Sequence, residues 1–282
     1  MKDLIIGGAS NYTWDILKYW VNSINKSGFK GDKVLILMNC DKDTVKKVAD
    51  SGFIVVGFQQ DSYGNLIYPQ TGRAPHVERF LQIYNFLKDP SNVNKYRYVI
   101  TTDVKDVVFQ KDPTTFIESC IGDKNLMFAS ESMRYKDEPW GNQNLYETYG
   151  QQIYNDFRDK EIFNVGVLAG RAKQMQDLIL NIFVATQGRP IPICDQSTFN
   201  FMVSMSPYKE TSVYLKSESA WAAQLGTTAD PSKIEQFRPK LLEATPTIDG
   251  DVVTTSTGIH FTIVHQYDRV PEWRKVIEAK YG

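Results

Sequence analysis

The sequence predicts an α/β fold, a mainly parallel sheet flanked by helices. Two observations carry that expectation. Over the first hundred residues, short apolar runs of strand length alternate with stretches of helical period, and β-α-β-α-β order implies parallel strands joined by crossover helices. Glycine, proline and aspartate punctuate the boundaries between them.

The elements follow in order. Residues 4–6 (LII) form a buried strand that Gly7-Gly8 closes with a tight turn. Ile16, Leu17, Trp20, Val21 and Ile24 recur at helical spacing, and Ser27-Gly28 ends that helix. Residues 34–38 (VLILM) are a second strand. Asp43 caps a short helix reaching Ser51-Gly52, and residues 53–56 are a third strand. Val77, Phe80, Leu81, Tyr84 and Leu87 mark another amphipathic helix. It stops at Asp89-Pro90, because proline drives the residue before it out of helical backbone. Residues 98–102 (YVITT) are a fourth strand. In the second half, residues 126–129 and 163–168 read as strands, and Met175, Leu178, Ile179, Ile182 and Phe183 form a helical stripe. Polar, aromatic-rich loops are expected over 131–160 and 217–250, with a final strand at 261–264 and a short helix after it. No repeat, linker or low-complexity tract interrupts the chain, so one continuous domain is expected.

Composition narrows the function. Of 282 residues, 42% are hydrophobic and 12% aromatic, enough for a large core, and a net charge of −1 without basic runs gives no support to a nucleic-acid partner. Three scattered cysteines suit neither a disulfide framework nor a zinc site and fit a reducing compartment. The apolar run at the N-terminus is too short for a signal peptide, and no stretch approaches the roughly 18 apolar residues of a transmembrane segment. A cytoplasmic location is the expectation.

In open α/β sheets ligands bind beyond the carboxyl ends of the strands. Gly7-Gly8-Ala9-Ser10 and Asp103-Val104-Lys105-Asp106 are expected at such ends. Two carboxylates there suit a hard divalent cation, which takes one or two protein oxygens together with substrate phosphates. The alternative is a solvated turn in which Asp103 caps the next element. A haloacid-dehalogenase nucleophile pair is excluded because Lys105 stands where its second aspartate belongs. No GxxxxGK[ST] phosphate loop is present, and Gly7-Gly8 lacks the third glycine of a dinucleotide fingerprint.

An apolar strand, an acidic cluster and then VVFQKDP (residues 107–113) resembles the DxD region of GT-A-fold, nucleotide-sugar-dependent glycosyltransferases. Further segments resemble that family in the same order: a helix carrying Arg79, an FNxG strand (Phe163, Asn164, Gly166), a DQxxxN element (Asp195, Gln196, Asn200) and a C-terminal histidine segment at His265. The resemblance spans residues 1 to about 270. The spacing departs from a strict DxD: Asp106 aligns with its last aspartate, while Asp103 is left to metal, ribose or both.

The resemblance implies a single GT-A (Rossmann-like) domain over 1–282, with a nucleotide-binding half (1–110) and an acceptor-binding half (111–282). It implies Mn²⁺ or Mg²⁺ held by Asp103, Asp106 and His265, clamping the diphosphate of a nucleotide-sugar donor. His260 lies five residues before His265 and so on the opposite strand face. Gly7, Gly8 and Ala9 would let backbone approach the base, with Tyr12 or Trp14 stacking on it. Arg79 or Lys105 would add positive charge at the phosphates, and Lys105 reads equally as a surface lysine. Asn164 would bind the donor sugar. Asp195 would be the base of an inverting enzyme or a sugar-hydroxyl ligand of a retaining one, retention being favoured; by position it reads also as a helix N-cap. Glu131, Glu138, Trp140 and Trp221 suit a glycan, glycoprotein or glycolipid acceptor, carboxylates serving hydroxyls and indoles an apolar sugar face. Two other classes compete: a metal-dependent nucleotidyltransferase or phosphate hydrolase, and a non-catalytic nucleotide- or carbohydrate-binding domain.

Overall fold

A computed structural model describes residues 1–69 and 71–282. The chain begins β1 (Lys2–Ser10), α1 (Trp14–Lys26), β2 (Asp32–Met38), α2 (Lys42–Asp50) and β3 (Ile54–Val56). A small hairpin, β4 (Gln59–Gln60) and β5 (Leu66–Ile67), precedes α3 (Pro75–Lys88) and β6 (Tyr96–Thr102). Next come β7 (Val107–Phe109), α4 (Pro113–Cys120), β8 (Leu126–Arg134), α5 (Pro139–Phe157), β9 (Glu161–Arg171), α6 (Ala172–Thr186) and α7 (Asp195–Val203). Short elements follow: α8 (Tyr208–Thr211), β10 (Ser212–Leu215), β11 (Ala222–Gln224), α9 (Leu225–Thr228), α10 (Ile234–Phe237), β12 (Thr247–Asp249) and β13 (Val252–Thr254). The chain ends with β14 (Ile263–His265) and α11 (Pro271–Tyr281).

The seven-stranded sheet has the order β10-β8-β9-β6-β1-β2-β3. All neighbours are parallel except β9, which runs antiparallel to both β6 and β8. Strand alternation divides the core. Ile5, Leu35 and Ile100 face α1 through Leu17, Trp20 and Val21. Ile6, Val34 and Val99 face α3 and α6 through Phe80, Ile83, Ile179 and Ile182. A second sheet, β11-β14-β7, packs on α11 through Val108, Ala223, Val264, Ile277 and Tyr281. No helix among the described residues is long and apolar enough to cross a membrane.

The α/β fold and mainly parallel sheet are as expected, with three local corrections. Gly7 and Gly8 lie inside β1, which runs on to Ser10; the turn belongs to Asn11 at φ 59°. The glycines answer crowding instead. A Cβ on Gly7 would come 2.4 Å from Val104 Cγ1, and one on Gly8 3.0 Å from Arg79 Cβ. Helix α2 is capped by Asp41, not Asp43: the Asp41 side chain accepts the Thr44 N–H at 2.8 Å. Most of the segment expected as an irregular loop over 131–160 is the 19-residue helix α5. Its apolar spacing is weak because only Gly141, Asn144, Leu145, Thr148 and Phe157 are buried.

Candidate active site

Strand β6 ends in the large sheet at Thr102, and β7 begins in the small sheet at Val107. Residues 103–106 make that step. Asp103 donates its N–H to the Gly166 carbonyl at 2.8 Å, extending the β6–β9 ladder. Asp106 accepts the Gln266 N–H at 2.7 Å, which ties it to the end of β14. Between them Val104 is buried against Gly7, and Lys105 points outward, 3.9 Å from Asp268. One residue anchors inward and one faces solvent, so both carboxylates turn into the same hollow. The Asp-x-x-Asp spacing is thus a consequence of crossing between sheets.

The third member arrives by strand register. β14 pairs antiparallel with β7, placing His265 opposite Val107, and Gln266 turns the chain away at φ 59°. His265 Nε2 lies 3.5 Å from Asp103 Oδ2 and 3.6 Å from Asp106 Oδ1. One ligand atom from each of the three residues falls within 4.8 Å of the others. On the far side of the ring, Nδ1 and Gln224 Oε1 are 2.7 Å apart. Burial would raise the Asp106 carboxyl, but the His265 imidazole, with Arg269 and Lys105, pulls it below the ordinary carboxylate range. His260 is exposed and outside this cluster. His76, on the first turn of α3, feels the charges of Arg79, Asp195 and Asp106, and burial followed by Arg79 lowers its imidazole from the usual range.

Two carboxylates and an imidazole converging in this way form a donor set that suits a divalent cation of the Mg²⁺ or Mn²⁺ type. Gly166 shows that the hollow is kept open. A Cβ there would come 2.6 Å from His265 Cε1 and 2.8 Å from both Asn164 Oδ1 and Asp103 Oδ2. Any larger residue would fill the cradle.

Arg79 enters from α3, which approaches β1 closely because position 8 is glycine. It is 8% exposed, pairs with Asp103 Oδ1 through Nη1, and holds Nη2 3.6 Å from Asp195 Oδ2. Burial lowers its guanidinium from the usual range, against the pull of Asp195 and Asp106. Asp195 is the first residue of α7, with Cys194 at the cap position and no side-chain cap bond. Its carboxylate is committed to the Arg79 side rather than to helix capping.

A belt of amides completes the wall. Asn164 Nδ2 and Gln196 Nε2 both donate to Glu131 Oε1, at 2.7 and 2.9 Å. Asn164 Oδ1 accepts the Gly166 N–H at 2.6 Å, and Gln196 Oε1 accepts the Val165 N–H at 2.8 Å. Asn200 clamps the same strand, accepting from Phe163 N and donating to Phe163 O, each at 2.8 Å. Burial, then the neighbouring Glu138 charge, pushes Glu131 up to about 7.

The remaining expected residues separate. Tyr12 and Trp14 are half-buried beyond the end of β1, and Tyr12 titrates high through burial and then the Asp106 charge. The Ala9 side chain is in the core. Trp140 is 54% exposed, whereas Glu138 is buried and caps α5 by accepting the Trp140 and Gly141 N–H groups. Trp221 corrects an expectation. It is fully buried with its ring 5.1 Å from Phe116, so it presents no face to an acceptor. Sequence reasoning missed Gln224, and it gave Glu131 to the acceptor, whereas Glu131 is buried and holds the Asn164 and Gln196 amides. For Gln196 and Asn200 the signal lay in the DQxxxN element, but for Gln224 only the β11–β14 register reveals it.

No protein-family model and no curated protein matches the chain. Solved structures do. The bifunctional glycosyltransferase WbbM aligns over 98% of this chain and 49% of its own, with TM-score 0.58 and 12% identity. The glycosyltransferase GlyE of Streptococcus pneumoniae TIGR4 aligns over 98% of this chain and 60% of its own, with TM-score 0.53 and 13% identity. The galactosyltransferase LgtC, bound to donor and acceptor sugar analogues, aligns over 98% of this chain and 95% of its own, with TM-score 0.54 and 14% identity. The chain thus spans about half the length of the first structure and three fifths of the second. Its fold is the single-domain α/β fold of the GT-A glycosyltransferases.

Proposed function

We propose that the protein is a metal-dependent glycosyltransferase that moves a hexose or pentose from a nucleotide-sugar donor to a hydroxyl of a glycan, glycoprotein or glycolipid. The observation that carries this reading is one hollow lined by Asp103, Asp106 and His265 on one side and by Arg79, Asp195 and Asn164 on the other. A nucleotidyltransferase or phosphate hydrolase has no need of the second set. GT-A folds among the similar solved structures support the same reading.

Asp103, Asp106 and His265 would hold Mn²⁺ or Mg²⁺, and the cation would act as a Lewis acid toward the diphosphate leaving group. Arg79 is buried and charged beside Asp103, so it can add fixed positive charge where the leaving group becomes more anionic. Asn164, locked by Glu131, offers a preorganised amide to sugar hydroxyls, while Gln196, whose two N–H groups go to Glu131 Oε1 and the Phe163 carbonyl, holds Glu131 in place. Asp195 is held 3.6 Å from the Arg79 guanidinium, which fixes its carboxylate as an acceptor for hydroxyls. That favours a sugar-hydroxyl ligand over an acceptor base, and hence retention over inversion. Gly8, Tyr12 and the end of β1 make up the base side, and exposed Trp140 contributes to the acceptor side. In this reading residues 1–110 serve the nucleotide and 111–282 the acceptor, with the catalytic hollow drawing on both.

A thermal-shift panel of nucleoside diphosphates and nucleotide sugars, with and without Mn²⁺, tests the proposal. Binding to the folded state raises stability by about 2.7 kcal/mol at 100 times Kd. The expected result is a Mn²⁺-dependent rise in Tm for one nucleotide series, larger with the sugar attached. A flat panel contradicts the proposal.

A further inference from the structure

Gln224 belongs to none of the sequence signatures, yet it makes the one side-chain hydrogen bond of His265 among the described residues, at 2.7 Å. Both residues are 2% exposed. Their meeting is dictated by backbone: β11 and β14 pair in parallel with Gln224 in register with His265, and β14 pairs on its other side with β7. The Gln224 backbone carbonyl accepts from Thr228 Oγ1 at 2.7 Å and Thr227 Oγ1 at 3.3 Å, which anchors the residue's main chain.

Only an unprotonated ring nitrogen binds a cation, and the proton then resides on the other nitrogen. His265 Nε2 is the nitrogen that faces Asp103 and Asp106, so cation binding requires the proton on Nδ1. At Nδ1 the acceptor is Gln224 Oε1. We propose that Gln224 is a positioning residue for the cation site, accepting the Nδ1 proton and holding the ring so that bare Nε2 faces the two carboxylates. The inference rests on the cation reading given above. A neutral amide suits this place, because a carboxylate would add charge to a hollow that already gathers Asp103, Asp106 and Asp195 around Arg79.

The test uses Mn²⁺ alone with the full chain. Free Mn²⁺ is followed by its EPR signal, and nitrogen coordination by the ¹⁴N modulation of the bound ion. Gln224→Leu leaves the Nδ1 proton buried without an acceptor. It should weaken Mn²⁺ binding by about 10- to 100-fold, the usual cost of losing such a partner, and it should lose the ¹⁴N modulation, as His265→Gln does. Gln224→Glu keeps an acceptor and should retain the modulation with affinity no more than about threefold weaker. The metal-free Tm checks folding, and Gln224→Met, which lacks the acceptor but keeps the shape, replaces the leucine variant if that one fails to fold. Wild-type affinity and intact ¹⁴N modulation in the leucine or methionine variant overturn the role of Gln224 while leaving the cation site standing. Absence of Mn²⁺ binding in the wild type, or equal binding in Asp106→Asn, overturns the cation reading itself and this role with it.

Discussion

Glu131 is the residue whose surroundings have the clearest consequence outside catalysis. Its carboxyl is buried, faces Glu138, and titrates near 7 instead of in the usual carboxylate range. A raised carboxyl binds more protons in the folded than in the unfolded state between about pH 4.5 and 7. Stability from this group is therefore full below the unfolded pKa and is lost as pH rises through the folded one. At about 1.4 kcal/mol per pH unit the loss is on the order of 3 kcal/mol. Glu131→Gln keeps an oxygen for Asn164 and Gln196 but cannot ionise. Its Tm relative to wild type should become more favourable by several degrees between pH 5 and pH 8. A difference that stays constant with pH contradicts this account of Glu131. Gly166 makes the same point about space as Glu131 does about charge: the hollow survives only because position 166 has no Cβ.

At the scale of elements, the site depends on α7 being fastened to β9. Asn200 bonds both Phe163 N and Phe163 O, and Gln196 adds bonds to Phe163 O and Val165 N. Asn200→Ala leaves the part-buried Phe163 N–H without this partner, at about 1–3 kcal/mol, while the Phe163 C=O keeps its bond from Gln196 Nε2. Chemical denaturation should show a loss of roughly 1–3 kcal/mol, with weaker donor binding because Gln196 and Asp195 ride on the same helix. A loss under about 0.5 kcal/mol contradicts the clamp. The elements that sequence made legible were those with strong local signals. Helices α1, α3 and α6 carry clean apolar stripes, and the apolar runs 34–38 of β2 and 98–100 of β6 are buried on both faces. Helix α5 was not legible, because it lies on the surface and its buried positions include glycine, asparagine and threonine. The Gly7-Gly8 pair misled because glycine marks a turn locally, whereas here it answers Val104 and Arg79, which come from distant parts of the chain. The same cause hid Trp221: an indole beside small and polar residues reads as a surface patch until the packing of α4 and Phe116 is known.

At the scale of the whole molecule, the hollow sits where two sheets meet. β6 delivers Asp103, the crossing to β7 delivers Asp106, and β14 returns from the far end of the chain to place His265 between them. The two aspartates were legible as a pair, because hydrophilic residues between apolar strands stand out in sequence. Their partnership with His265 depends on contacts between residues far apart in sequence, so only the family resemblance suggested it. The order of Arg79, Asp103, Asp106, Asn164, Asp195 and His265 along the chain is spread across both halves of the fold, yet all six line one hollow. The central claim is that this hollow binds a nucleotide diphosphate through a divalent cation. Calorimetric titration of the preferred nucleoside diphosphate into wild type and Asp106→Asn, each with Mn²⁺ and with chelator, tests it most directly. The account predicts binding to wild type only with Mn²⁺, and affinity at least about tenfold weaker in Asp106→Asn, a change of about 1.4 kcal/mol or more. Equal affinity in the two proteins, or binding by wild type that is indifferent to chelator, would contradict it.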